Sequence, residues 1–128
     1  MSNYLLDTHT AIWFFNGDNS LSKTAKQIIL DPANVKNLSI ACAWELAIKI
    51  SLGKLDFSGR AKGFLQLAED NGFNIIPVKS EHLTIFENLP FIHRDPFDRL
   101  IIAAALAEQM TLITDDDNVA RYDVPIIW

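Results

Sequence analysis

Five short apolar runs recur along the chain, separated by stretches of helical pattern. They are NYLL (3–6), NLSI (37–40), FNIIPV (73–78), TLIT (111–114) and VPIIW (124–128). Strands that alternate with helices pair in parallel, because the helix carries the chain back across the sheet. The pattern predicts βαβ units, a mainly parallel sheet and right-handed crossovers.

The helical stretches are read at 8–15, 22–30, 41–53, 59–71, 80–89 and 96–110. Ser22 and Ser80 stand where capping serines belong, and Gly53 and Gly72 where helices stop. Trp44, Ile48 and Leu52, at a spacing of four, predict the apolar face of the third helix. The run DDDNVARY (115–122) reads as turn and coil.

The length, 128 residues, predicts a single domain over 1–128. Hydrophobic residues make up 49% and charged residues 21%, as in a globular chain with a core of its own. One cysteine, Cys42, excludes an intrachain disulfide. No apolar run nears the roughly 20 residues of a membrane helix, and the N-terminus carries an acid where a secretory signal would be basic. A cytoplasmic protein without membrane contact is expected. The net charge of −5 argues against a broad basic surface for nucleic acid. It leaves room for a site built of carboxylates.

Such a site is visible in where the acids fall. Asp7 follows the first strand, and Glu45 lies early in the helix after the second. Asp98 lies in the first turn of the helix opened by Pro96, and Asp115, Asp116 and Asp117 follow TLIT. In a parallel sheet the strand C-termini and the next helix N-termini share one edge. Each acid alone has a plain structural use. Asp95 and Asp7 can cap helices, Asp98 suits a helix dipole, and Glu45 can pair with Lys49 on a solvated face. Together they repel. At about 4 Å and an effective dielectric near 20, each like pair costs on the order of 4 kcal/mol. A divalent cation removes that cost, and oxygen donors favour Mg²⁺ or Mn²⁺ over Zn²⁺. His9, His82 and His93 show no ligand spacing and are read as ordinary surface or core residues.

Four segments in order, YLLDTHTAIW (4–13), SIACAWELAIKISLGKL (39–55), HRDPFDRLIIAAAL (93–106) and LITDDDNVARYDVPIIW (112–128), resemble the PIN-domain family. More narrowly, they resemble the VapC-like ribonuclease toxins of toxin–antitoxin modules. The resemblance implies a three-layer α/β/α sandwich and Mg²⁺- or Mn²⁺-dependent endoribonuclease activity. It places the family's acids on Asp7, Glu45, Asp98 and Asp116, with Asp115 as the fallback for the fourth. It also implies a cognate antitoxin and a homodimer, assembling into a heterotetramer or larger with the antitoxin. Cys42 departs from the serine or threonine usual before the Trp-Glu pair and, as a weaker cap, is expected to perturb the helix start.

Around these acids, Thr8, Thr114 and Asp95 are candidates to orient carboxylates. Lys49, Lys54, Arg94 and Arg99 are candidates for RNA phosphate, with Arg60 and Lys62 near them in sequence. Arg99 has a second reading, as a neutralising partner for a neighbouring acid. The competing view of the whole chain is a non-catalytic interaction module on the same fold.

Overall fold

The structure is a computed structural model that describes residues 2–128. Leu5 and Leu6, at the end of β1 (Asn3–Leu6), are both fully buried. Neighbouring strand residues point to opposite faces, so β1 is covered on both sides. The chain continues through α1 (Thr8–Asn16), α2 (Lys23–Leu30), β2 (Val35–Ser39), α3 (Ile40–Ser51), α4 (Arg60–Asp70) and β3 (Asn74–Ile76). It ends with α5 (Ser80–Asn88), α6 (Pro96–Glu108), β4 (Thr111–Ile113), α7 (Asp117–Ala120) and β5 (Ile126–Ile127).

The sheet order is β3-β2-β1-β4-β5, and every pair is parallel. Helices cover both faces, so the fold is an α/β/α sandwich. Asn37 pins the register, its amide donating to Asn3 Oδ1 (2.6 Å) and the Tyr4 carbonyl (2.8 Å). The strand order puts a switch point between β1 and β4, where chain progression reverses and a crevice opens at the strand C-termini.

Ile101 to Ala105 are all buried, as an apolar run without a polar stripe requires. Cutting Ile102 to alanine would cost roughly 2–5 kcal/mol. At α4 the left-handed Gly59 (φ 82°) is obligatory, since a Cβ there would meet Gly63 Cα at 2.9 Å.

Several local expectations give way. Trp44 and Leu52 are exposed and Ile48 is half-buried; α3 buries Ala41, Cys42, Ala43, Glu45 and Leu46 instead. The inward face is made of small residues with Glu45 and Leu46, and the large stripe is turned outward. Cys42 does not disturb the helix start, because Ser39 is the cap, its hydroxyl accepting from Ala41 N (3.1 Å). Ser80 is not the cap of α5. The N-cap position is Lys79, whose N–H donates to His82 Nδ1 (3.2 Å), so the ring supplies the acceptor that a lysine side chain lacks. Part of DDDNVARY is helical, since Asp116 Oδ1 accepts from Asn118 N (2.8 Å) and Val119 N (3.2 Å) to open α7.

Candidate active site

The site grows from the ends of β1 and β4. Asp7 caps α1, accepting from Thr10 N through Oδ1 (2.9 Å). Its other oxygen, Oδ2, accepts from the Thr114 hydroxyl. Thr10 in turn donates to the Ile113 carbonyl (3.0 Å), which ties α1 to β4. Asp7 is buried, and burial pushes its carboxyl above the usual range against the pull of these donors.

Glu45 is also buried. Thr8 donates to its Oε1 (2.6 Å) and Lys49 to its Oε2 (2.9 Å). The i,i+4 pair with Lys49 therefore exists, but its acid lies inside the molecule and not on a solvated face.

Asp98 enters from α6. Asp95 Oδ1 accepts from Phe97 N (2.8 Å) and Asp98 N (3.4 Å), and Pro96 holds the first helical position. This cap fixes where the helix starts and so where the Asp98 side chain is carried. Burial raises the Asp98 carboxyl to about 6, helped by the charges of Asp95, Asp7 and Glu45 and opposed by His93. One oxygen atom each from Asp98 and Asp116 and one ring nitrogen of His93 lie within 4.8 Å of one another. Asp116 N is held by the Thr114 hydroxyl (3.1 Å), whereas Asp115 is exposed.

Acids from the β1–α1 junction, α3, α6 and the β4–α7 turn are thus gathered near the switch point, and both candidate threonines hold carboxylates. Asp7, Glu45 and Asp98 also surround Cys42, whose thiol burial pushes up to about 12, so it is neither nucleophile nor thiolate ligand. The donor set is oxygen-rich and crowded, and it fits a hard divalent cation.

An open cleft of about 460 Å³ leads to these acids, with Glu45, Lys49, His93 and Arg94 in its lining. A second cleft, of about 320 Å³, is lined by Thr8, Lys49 and Lys54, so Lys49 borders both. Arg99 is elsewhere. It is buried, with Nη1 donating to the Pro90 carbonyl (2.9 Å) and the Tyr122 hydroxyl (3.1 Å) and Nη2 to the Phe86 carbonyl (3.3 Å). Its guanidinium lies over the rings of Phe86 (5.0 Å) and Phe91 (4.9 Å). The expectation that it meets RNA phosphate, or neutralises a neighbouring acid, is corrected: it holds the 90–93 loop. Arg60 and Lys62, at the start of α4, are exposed and line neither of these clefts.

His93 is the residue that sequence reasoning passed over. Its Nε2 is 2.7 Å from Asp98 Oδ2. The signal for it is the loop that Arg99 and Tyr122 pin, which no local spacing reveals. Beside the cleft runs an apolar groove of about 380 Å³, lined by Trp44, Ile48, Leu83, Phe86, Phe97 and Leu100 among others. Trp44 is 63% exposed there and stacks edge-on against Phe97 at 5.2 Å.

The family model described as PIN domain matches residues 4–125. The fold is similar to that of VapBC2 from Rickettsia felis bound to a DNA fragment from their promoter, at 19% identity, 98% coverage of each chain and TM-score 0.74. It is similar to VapBC-5 from Mycobacterium tuberculosis, a member of the VapBC family of toxin-antitoxin systems (19% identity, 99% and 98% covered, TM-score 0.67). It also matches the PIN domain endonuclease Utp24 at 16% identity, 92% and 74% coverage and TM-score 0.53. No curated protein sequence matches the chain.

Proposed function

The chain belongs to the PIN domain family, and from that premise we propose that it is a divalent-cation-dependent endoribonuclease, the toxin of a toxin–antitoxin module. The observation that carries the proposal is the gathering of Asp7, Glu45, Asp98 and Asp116 near one sheet edge, with threonine hydroxyls holding two of them. Buried carboxylates with no cation would be a standing cost to the fold.

In this reading Asp7, Glu45, Asp98 and Asp116 hold one or two Mg²⁺ or Mn²⁺ ions. A bound ion supplies Lewis acidity, lowering the pKa of water and offsetting charge on the phosphate. Thr8 and Thr114 keep Glu45 and Asp7 in a single orientation. The Thr114 hydroxyl also pulls against the burial that raises the Asp7 carboxyl. Lys49, Lys54 and Arg94 line the two clefts that share Lys49, and in this reading they serve as contacts to RNA phosphates. Asp95 sets the first turn that carries Asp98.

The partners follow from the same premise: a cognate antitoxin that blocks the site, and a second copy in a homodimer. The structures similar to this chain include a toxin-antitoxin complex from Klebsiella pneumoniae. The uncovered apolar groove beside the cleft supports burial against another protein. Among the described residues no helix is long and apolar enough to cross a membrane. The proposed action on RNA as a toxin carries with it a cytoplasmic location.

The test is incubation with total RNA in Mn²⁺ or Mg²⁺, with and without EDTA, followed by mapping of cut ends. Internal cleavage that EDTA abolishes is expected. Intact RNA under all conditions would favour the non-catalytic module.

A further inference from the structure

The geometry points to His93 as a nitrogen donor to the cation held by Asp98 and Asp116, tuning the site toward Mn²⁺ over Mg²⁺. This inference rests on the metal-dependent reading above. The three ligand atoms all lie within 4.8 Å of one another, a spread that one ion closes with little contraction, since opposite ligands of one ion are roughly 4.2 Å apart. His93 Nε2 is already 2.7 Å from Asp98 Oδ2, so little movement separates the hydrogen-bonded arrangement from a bridged one.

The loop that carries His93 is built to stay in place. The N–H groups of Ile92 (3.2 Å) and His93 (2.9 Å) and the Arg99 guanidinium (3.1 Å) all donate to the Tyr122 hydroxyl. A ligand held this way loses little freedom when an ion arrives.

The other histidine-acid cluster supplies the contrast. Glu81, His82 and Glu108 also offer three ligand atoms within 4.8 Å. There, His82 Nδ1 accepts from Lys79 N (3.2 Å), so the ring proton resides on Nε2, which faces Glu108 at 2.8 Å. That nitrogen has no lone pair to give while the α5 cap persists. Among the described residues no backbone N–H donates to the His93 ring. Its proton can shift to Nδ1 and leave Nε2 free to ligate. An imidazole nitrogen is a better partner for Mn²⁺ than for Mg²⁺, which prefers oxygen and water.

The test uses the full chain stripped with EDTA and titrated with Mn²⁺ alone, without RNA. Pulsed electron paramagnetic resonance should show nitrogen coupling to bound Mn²⁺, lost in His93→Gln and retained in His82→Gln. Calorimetry should show Mn²⁺ affinity falling at least about tenfold in His93→Gln, with a smaller loss for Mg²⁺. Mn²⁺ bound without nitrogen coupling would overturn the assignment and leave the carboxylate site standing. So would equal losses for both metals, the mark of a histidine that only orients Asp98. A wild-type chain that binds no Mn²⁺ would overturn both readings. His93→Asn, circular dichroism and thermal melting establish that lost binding is not lost folding.

Discussion

The Thr114 hydroxyl at the end of β4 donates to the carboxylate of Asp7 at the end of β1, bridging two adjacent parallel strands at the switch point of the sheet. One hydrogen bond thus joins a capping residue of α1 to the turn that presents Asp116. Thr114→Val keeps the shape and removes the donor. It should destabilise the metal-free protein by roughly 1–3 kcal/mol, because a buried carboxylate loses a partner. Urea unfolding with and without Mn²⁺ measures both the loss and any accompanying drop in metal stabilisation. A variant as stable as the parent would show that the bond contributes nothing.

Asp98 and Asp95 are three residues apart and should behave in opposite ways. Asp98→Asn should lower RNA cleavage by at least about 100-fold, as loss of a charge-stabilising group does. Its metal-free stability at neutral pH should not fall, since a repelling charge is gone. Asp95→Ala should cost about 1 kcal/mol through the lost cap and lower activity less. Paired RNA cleavage assays and thermal melts separate the two roles.

Stability of the metal-free protein should fall as pH rises. Asp98 has its carboxyl raised to about 6 from 3.8, and Asp7 is raised in the same direction. The folded state therefore holds more protons than the unfolded chain between those values. The stabilisation is complete below the unfolded pKa and is lost as pH climbs through about 6. In EDTA the protein should melt higher at acid pH than at neutral pH, each kcal/mol being worth roughly 4 °C. The dependence should flatten in Asp98→Asn, and Mn²⁺ should narrow it by favouring the ionised form. An unchanged slope in the variant would exclude Asp98 as its source.

The cations divide by burial. Arg99→Leu should destabilise the fold by about 2–4 kcal/mol, because the Pro90 and Phe86 carbonyls lose a charged donor and the buried Tyr122 hydroxyl loses one of its three. Arg94→Ala and Lys54→Ala should leave stability within roughly 0.5 kcal/mol. They should raise KM for RNA and weaken its dependence on salt. Chemical unfolding and cleavage rates across salt concentrations distinguish the classes.

What the sequence made legible was whatever depended on local order. The strand ends and Pro96 placed Asp7 and Asp98, since both lie next to an element boundary. Asp116 was harder, because an aspartate that opens a turn and one that caps a helix use the same side-chain chemistry. The Trp44 face of α3 was misjudged, because a spacing of four fits two sides of a helix. Only tertiary packing decides which side holds Cys42 and Leu46. Arg99 was unreadable as an interior residue, since its partner Tyr122 lies 23 residues on. His93 was invisible for the same reason, its place being set by that buried clamp.

The most direct measurement of the central claim is anomalous diffraction from a crystal of the full chain soaked in Mn²⁺. The account predicts a peak at the C-terminal edge of β1 and β4, among the carboxylates of Asp7, Asp98 and Asp116 with Glu45 beside them. A peak absent there, or present only at Glu81, His82 and Glu108, would contradict it.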